Sequence, residues 1–353
     1  MQPTLLIIAI LTFFSVTTTP QEDFTKKSPP PVSAEARSEM EAKLKEAQTD
    51  YDANPKSADA MIWVGRRLAY LGRFTEAIDI YTKGIESFPN DARFYRHRGH
   101  REITLRRFDR AIADFEKAAR LVKGKPDEIE PDGQPNARNI PTSTLQFNIW
   151  YHLGLAYYLT GQNEKALNAY RECLKVSGTP DRLVSTTHWL YMTLRRLKRD
   201  TEAAKVLEPI VEGMDIIENG SYYRLTLMYK GLLPGERLME EAQGDSPSAH
   251  SVLYGVANWH LYNGRREQAR EGFRKIVSGK QWTSFGYIAA HTISYSTYTL
   301  SVTTKAFESF SDSLRSNLSF LKNSPSKRIF IENAQFFKPR FPALLKGMVI
   351  APS

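Results

Sequence analysis

Between residues 147 and 180 the apolar side chains recur with a helical period, stop at a glycine, and recur again. Trp150, Leu153, Gly154 and Tyr157 stand at i, i+3, i+4 and i+7, so all four share one face of a helix. Gly161 interrupts the pattern. Ala166, Tyr170 and Cys173 resume it until Gly178 and Pro180 end it, which predicts two antiparallel helices joined by a tight turn. Trp150, Tyr157 and Tyr170 supply bulk, while Gly154 and Ala166 let the two backbones approach closely enough for that bulk to interlock. A lone hairpin of this kind cannot bury its own apolar face. It requires copies of itself on either side.

The copies are present. Met61, Val64, Gly65, Leu68, Gly72, Phe74, Ala77, Tyr81 and Pro89 occupy the same relative positions, and Gly99, Phe108, Ala111, Phe115 and Ala118 do so one period later. Gly65 to Gly99 and Ala77 to Ala111 are both steps of 34 residues. Looser copies keep Leu190, Leu194, Ala203 and Leu207, then Val256, Ala257, Gly264, Ala269 and Phe273, with a shortened pair between Tyr222 and Leu238. This spacing and these residue types resemble the tetratricopeptide repeat, over roughly residues 56–290. The resemblance implies an all-α fold, an α-solenoid of stacked antiparallel helix pairs wound into a right-handed superhelix, whose first helices line a concave groove.

The rest of the chain is read around that array. Residues 5–16 form an uncharged apolar run, shorter than the ~20 residues that span a bilayer, and predict a signal peptide over 1–19. No basic residue precedes the run and no Ala-x-Ala follows it, so a retained anchor is the alternative. Residues 20–32, with Pro29, Pro30 and Pro31, read as an extended Pro-rich linker, and 33–57 as an N-terminal capping helix with Met40, Leu44, Ala47 and Tyr51 on one face. The array runs over 58–290 and contains an insertion, 123–141, that carries Asp127, Glu128, Glu130 and Asp132 among four prolines. Residues 291–353 form a Ser/Thr-rich basic tail, and the folded unit is expected from residue 33 to about residue 290.

The charge excludes less than it first suggests. The chain is 353 residues long with a formal net charge of +9, yet the tail holds eight basic and three acidic residues, so five of those charges lie there. The body is nearly balanced, which argues against a nucleic-acid partner. Cys173 is the single cysteine, so neither an internal disulfide nor a thiolate metal cluster can form, and it reads as an inert buried thiol. No phosphate-binding glycine loop, Gly-x-Ser-x-Gly or ordered triad is present, so the chain is read as no enzyme and as needing no cofactor.

The second copy is the most polar. Its first helix reads Tyr95-Arg96-His97-Arg98-Gly99-His100-Arg101-Glu102, and Arg98 with Glu102 is expected to form an i,i+4 pair. The insertion's acids either fold back onto Arg96, Arg98 and Arg101 as a lid on the groove or make a solvated excursion. His97 and His100 with one of those carboxylates define the alternative function, a metal-binding or hydrolytic site.

Through the resemblance, ligand-contacting side chains are expected at groove-facing first-helix positions: Arg66 and Tyr70, then Arg96 and His100, then Tyr151 and Tyr158. His188 and Arg195, followed by Tyr254 and Asn258, continue that series. Such a groove is basic and aromatic. It implies a peptide or protein partner with acidic and apolar or aromatic side chains, bound by an exported scaffold, periplasmic or extracellular, with membrane contact only through an uncleaved N-terminal segment.

Overall fold

The structure, a computed structural model, describes residues 22–293. The expected signal peptide and all but the first three residues of the tail lie outside the described residues. By its contacts the chain divides after Thr292, and the first unit carries the helix pairs.

Helix α1 (Ala34–Ala53) leads into paired helices: α2 (Ala58–Tyr70) with α3 (Phe74–Ser87), α4 (Ala92–Thr104) with α5 (Phe108–Val122), and α6 (Leu145–Leu159) with α7 (Asn163–Lys175). Next come α8 (Pro180–Arg196) with the short α9 (Asp200–Lys205), α10 (Gly220–Tyr229) with α11 (Gly235–Glu241), and α12 (Pro247–Tyr262) with α13 (Arg266–Val277). A last helix, α14, is described over 285–293. Helices α1, α2, α4, α8 and α12 start where a short polar side chain satisfies a free backbone N–H: Ser33, Ser57, Asp91, Thr179 and Ser246 each accept from the first turn. The chain is therefore an α-solenoid of stacked antiparallel helix pairs. Among the described residues no helix is long and apolar enough to cross a membrane.

Each full pair turns in the same way. The middle residue of a three-residue connection is left-handed, at Gly72 (φ 78°), Arg106 (60°), Gly161 (73°), Lys198 (58°) and Gly264 (77°). The following N–H then reaches back five residues, as from Arg73 to the Leu68 carbonyl (2.9 Å) and from Gln162 to the Tyr157 carbonyl (2.9 Å). That closure fixes the register of the second helix. Five residues beyond each left-handed position stands a buried alanine: Ala77, Ala111, Ala166, Ala203 and Ala269. Sixteen residues after the first-helix glycines Gly65, Gly99 and Gly154 stands an aromatic ring. A Cβ built on Gly65 would collide with the Tyr81 ring, one on Gly99 would lie 2.9 Å from Phe115, and one on Gly154 2.7 Å from Tyr170. The close approach read from the sequence at Gly154 is thus repeated in three pairs.

Residues 22–32 are not a free linker. Phe24 is 4% exposed and packs between Trp282 (ring centroids 5.7 Å) and His291 (5.3 Å). The Trp282 indole donates to the Ser28 carbonyl at 2.7 Å, and Pro29 fills the space over Gly72. Arg106 ties these pieces together. Its guanidinium lies 4.0 Å from the Phe24 ring centroid and donates to the carbonyls of Trp282 (2.7 Å) and Thr104 (2.5 Å). Burial lowers its pKa to about 9. Both ends of the described chain therefore converge on the turn of the second pair.

Candidate peptide-binding face

The course of the insertion decides what this face can offer. Its base is an antiparallel bridge between Ile129 and Thr144, pinned by Asp127, whose carboxylate accepts from the Thr144 hydroxyl (2.6 Å) and the Gln146 N–H (2.9 Å) at the start of α6. Its outer part is tied to the segment before α10, with Arg138 donating to Asp215 (2.7 Å) and Asn136 to Glu218 (2.9 Å). Asp181 holds that segment in turn, accepting from the N–H groups of Ile217 (2.9 Å), Glu218 (2.8 Å) and Asn219 (2.8 Å). A loop so anchored has a fixed course. It carries Glu130-Pro131-Asp132-Gly133 across the first-helix face of α2 and α4.

There the loop meets arginines. Arg66 donates to the Pro131 carbonyl at 2.7 Å, Arg67 donates to the Gly133 carbonyl at 2.7 Å, and Arg96 pairs with the Glu130 carboxylate at 2.8 Å. Glu130 also accepts from the Asn148 side chain at 3.1 Å. The Tyr70 hydroxyl lies where a Cβ on Gly133 would fall, so a glycine is required at that point of the loop. Of the two courses left open for the insertion, the folded-back one holds for Arg96 alone. Arg98 points to the other side of α4 and makes two contacts with Asp114 of α5, Nε to Oδ2 at 2.8 Å and Nη2 to Oδ1 at 2.7 Å. The expected Arg98–Glu102 pair does not form, because the bidentate carboxylate on α5 offers the planar guanidinium a better fit. Glu102 instead faces Arg107 at 3.6 Å.

The expected groove residues fall into two sets. Arg66, Tyr70 and Arg96 lie beneath the loop, with His100 alongside, its ring 4.5 Å from His152 and 5.5 Å from Phe285 of α14. The second set is mostly interior. Tyr158, His188, Tyr254 and Asn258 are fully buried, and Tyr151 is nearly so. Trp189 donates to the Tyr151 hydroxyl (2.7 Å), Asn258 donates to the Tyr158 hydroxyl (2.6 Å), and the Tyr158 and Tyr254 hydroxyls share a hydrogen bond of 2.9 Å. His188 is stacked between Tyr222 (4.7 Å) and Tyr229 (5.8 Å). Arg195 remains partly exposed, paired with Asp200 at 2.8 Å. These first helices pack on one another, so side chains expected to face a ligand face each other.

Electrostatics follow from that burial. His97 and His100 are held well below the ordinary histidine pKa by burial first, and then by Arg96 and Arg101 respectively. Burial brings His152 and His188 to about 3. These imidazoles are neutral, so the cations of the face are its arginines. His97 stacks on Tyr81 and lies 3.0 Å from an Arg96 nitrogen, while His100 makes tilted ring contacts with His152 and Phe285. Among the described residues no group of three or more His, Cys, Asp or Glu side chains is placed to hold a metal ion. Cys173 is buried against Thr186 (3.2 Å), and burial pushes its thiol up to about 12.

Arg67, Phe24, Arg106 and Trp282 were not singled out from the sequence. Arg106 carries a usable signal: it stands 34 residues after Gly72, where a turn glycine would recur.

The architecture defines the class, a helix-pair repeat protein built on a 34-residue period. Family profiles described as tetratricopeptide repeat match residues 65–128 and 147–179, so the chain carries repeats of that kind. Repeats of this family build protein–protein interaction scaffolds. Small glutamine-rich tetratricopeptide repeat-containing protein 2 of Saccharomyces cerevisiae is 28% identical over 129 residues, which is 36% of this chain and 28% of that protein's length. Among solved structures, YrrB, described as a TPR protein with an unusual peptide-binding site, is 16% identical with a TM-score of 0.39, covering 71% of this chain and 99% of its own. A tetratricopeptide repeat protein of Parabacteroides merdae is 14% identical with a TM-score of 0.40, covering 70% of this chain and 89% of its own.

Proposed function

We propose that this chain is an exported scaffold that captures an acidic segment of a protein or peptide partner on its first-helix face and performs no chemistry of its own. One observation carries the reading. The face already holds an acidic, proline-containing segment, 130–133, through one carboxylate on Arg96 and two backbone carbonyls on Arg66 and Arg67. Those contacts use a side-chain charge and main-chain acceptors, which any extended acidic peptide can offer. The half-buried Tyr70 beside them favours a partner with an apolar or aromatic neighbour to the acid. Export rests on the uncharged apolar run at residues 5–16.

The test is selection from an acidic, aromatic-containing peptide library by the wild type and by an Arg66→Gln, Arg67→Gln double variant, with circular dichroism to verify that both are folded. The wild type should enrich acidic peptides whose binding weakens with salt. Equal affinity for the same peptides in the double variant would mean that the partner docks elsewhere. The mass of the chain recovered from the native envelope or medium tests export; a chain found only inside the cell and uncleaved would end that part of the reading.

A further inference from the structure

The arginines around α4 are nearly all satisfied. Arg66, Arg67 and Arg106 donate to carbonyls, while Arg96 and Arg98 are paired with carboxylates. Arg101 is different. It is part-buried, and among the described residues it has neither a carboxylate partner nor a hydrogen-bond acceptor; its guanidinium lies 5.8 Å from the centroid of the Phe74 ring. Burial, and then repulsion from Arg96 and Arg66, lowers its pKa to about 10. A half-buried cation without a counter-charge is an open position for an anion, whose arrival supplies the charge-assisted hydrogen bonds that the protein does not.

Arg101 lines an open cavity of about 320 Å³ bordered by residues 29–32, α1, the end of α2, α4, the insertion, Pro247 and residues 281–283. Arg37 of α1 lies on the same cavity, and no aspartate or glutamate does. Gln134, Gln281 and Thr104 contribute uncharged polar groups, and Met40, Phe74 and Val32 an apolar wall. The contrast is the outer depression against α1, where Glu41, Asp52 and Glu76 outnumber Lys45 and Arg73 and Arg73 is already paired with Glu76. We propose that the inner cavity binds a small organic acid, with its carboxylate on Arg101, Arg37 at the exposed side, and its apolar body against Met40 and Phe74. The shared chemistry, a carboxylate on an apolar body, comes either from a free acid or from the C-terminal end of a peptide. The inference needs only the cavity and is independent of partner capture under the loop.

The probes are phenylacetate against its neutral amide, and an acetylated peptide ending in phenylalanine as free acid against the same peptide amidated. Calorimetry and thermal melting read the result on the wild-type protein and on Arg101→Met and Arg101→Lys. Phenylacetate should bind and raise the melting temperature, its amide should do neither, and Arg101→Met should weaken binding by roughly tenfold or more, with Arg101→Lys between. Arg101→Met should also melt no lower than wild type, because it removes an uncompensated charge, so its loss of binding cannot be loss of fold. Binding by the peptide acid alone assigns the site to a chain terminus. The proposal falls if acid and amide behave alike, if neither acid binds, if Arg101→Met binds as wild type does, or if it melts well below wild type, which would reveal a native partner for Arg101.

Discussion

Gly154→Ala tests the repeat packing with a single carbon atom. In the wild type a Cβ at this position would lie 2.7 Å from Cε1, 2.8 Å from Cδ1 and 2.8 Å from Cζ of Tyr170. All three are well inside van der Waals contact, and the ring is fully buried with no free side on which to move. Two effects oppose each other. Alanine in a helix interior is favoured over glycine by about 1 kcal/mol, whereas forcing an extra carbon into a packed core costs roughly 1–3 kcal/mol. The steric term should win, leaving Gly154→Ala about 0–2 kcal/mol less stable and Gly154→Leu considerably worse. Gly220, the first residue of α10, has open space where its Cβ would stand, so Gly220→Ala should be neutral or stabilising by up to about 1 kcal/mol. Urea denaturation followed by circular dichroism reads both. The same substitution thus has opposite signs at two sites. If Gly154→Ala stabilises as much as Gly220→Ala, the helices do not meet at Tyr170 and the argument for all three glycine–aromatic contacts fails. A double variant with Tyr170→Leu should recover part of the loss, with a coupling energy of about 0.5–3 kcal/mol.

The neutral histidines predict acid sensitivity. His152 and His188 titrate near 3 in the folded chain and near ~6.5 when unfolded, so the unfolded state takes up protons first and stability, complete above about pH 6.5, falls as pH drops towards 3. Each should cost ~2 kcal/mol between about pH 7 and about pH 5, and equal urea midpoints at those two values would contradict the burial argument. Asp114→Asn should cost about 2 kcal/mol by breaking the bidentate contact with Arg98, whereas Glu102→Gln should cost less than ~1 kcal/mol; the reverse order in urea would restore the Arg98–Glu102 pair. Lys198→Gly should stabilise by up to about 1 kcal/mol by relieving φ 58° at an exposed residue. Arg106→Gly should destabilise by about 1–3 kcal/mol despite the same relief, because it loses the Trp282 and Thr104 acceptors; matching melting shifts for the two would mean that Arg106 ties nothing together.

What could be read from the sequence is what short-range contacts encode. Gly65, Gly99 and Gly154 each meet an aromatic side chain sixteen residues on, and the buried alanines follow the turns at a constant offset. A repeat in which each unit touches only its neighbours writes those rules once per period, so they recur visibly. The turns at Arg106 and Lys198 were less legible because the left-handed position there lacks the glycine that marks it elsewhere. The loop contact between Arg66 and Pro131 joins residues 65 apart, Arg106 to Trp282 joins residues 176 apart, and Trp282 to Ser28 joins residues 254 apart. Each occurs once. No period points to such contacts, so residues 22–32 read as a linker although Phe24 is core. The groove residues suffered the same way: the family pattern places Tyr158, Tyr254 and Asn258 on the face of the first helices, but only their mutual packing decides that the face is interior.

That packing constrains how any partner can be held. A segment that binds Arg66 and Arg96 must take over contacts that the chain's own 130–133 already makes, so the gain is the difference between two acidic segments on the same arginines. The loop is tethered at both ends, by Asp127 and by the Arg138 and Asn136 contacts, and the tether gives it a high effective concentration that a separate peptide lacks. Charge matching alone therefore cannot favour the partner. Its advantage has to come from contacts the loop does not make, beside Tyr70 or along the partly exposed Arg195, and a partner selected on charge alone should lose to the loop. The ties of Arg138 to Asp215 and of Asn136 to Glu218 are surface contacts weakened by solvent and salt, so they are the part of the tether that yields first. Asp215→Asn with Glu218→Gln should accordingly raise affinity for acidic peptides without altering the arginines that hold them. Calorimetry on that double variant reads the effect, and an affinity equal to wild type would mean that partner binding does not compete with the loop.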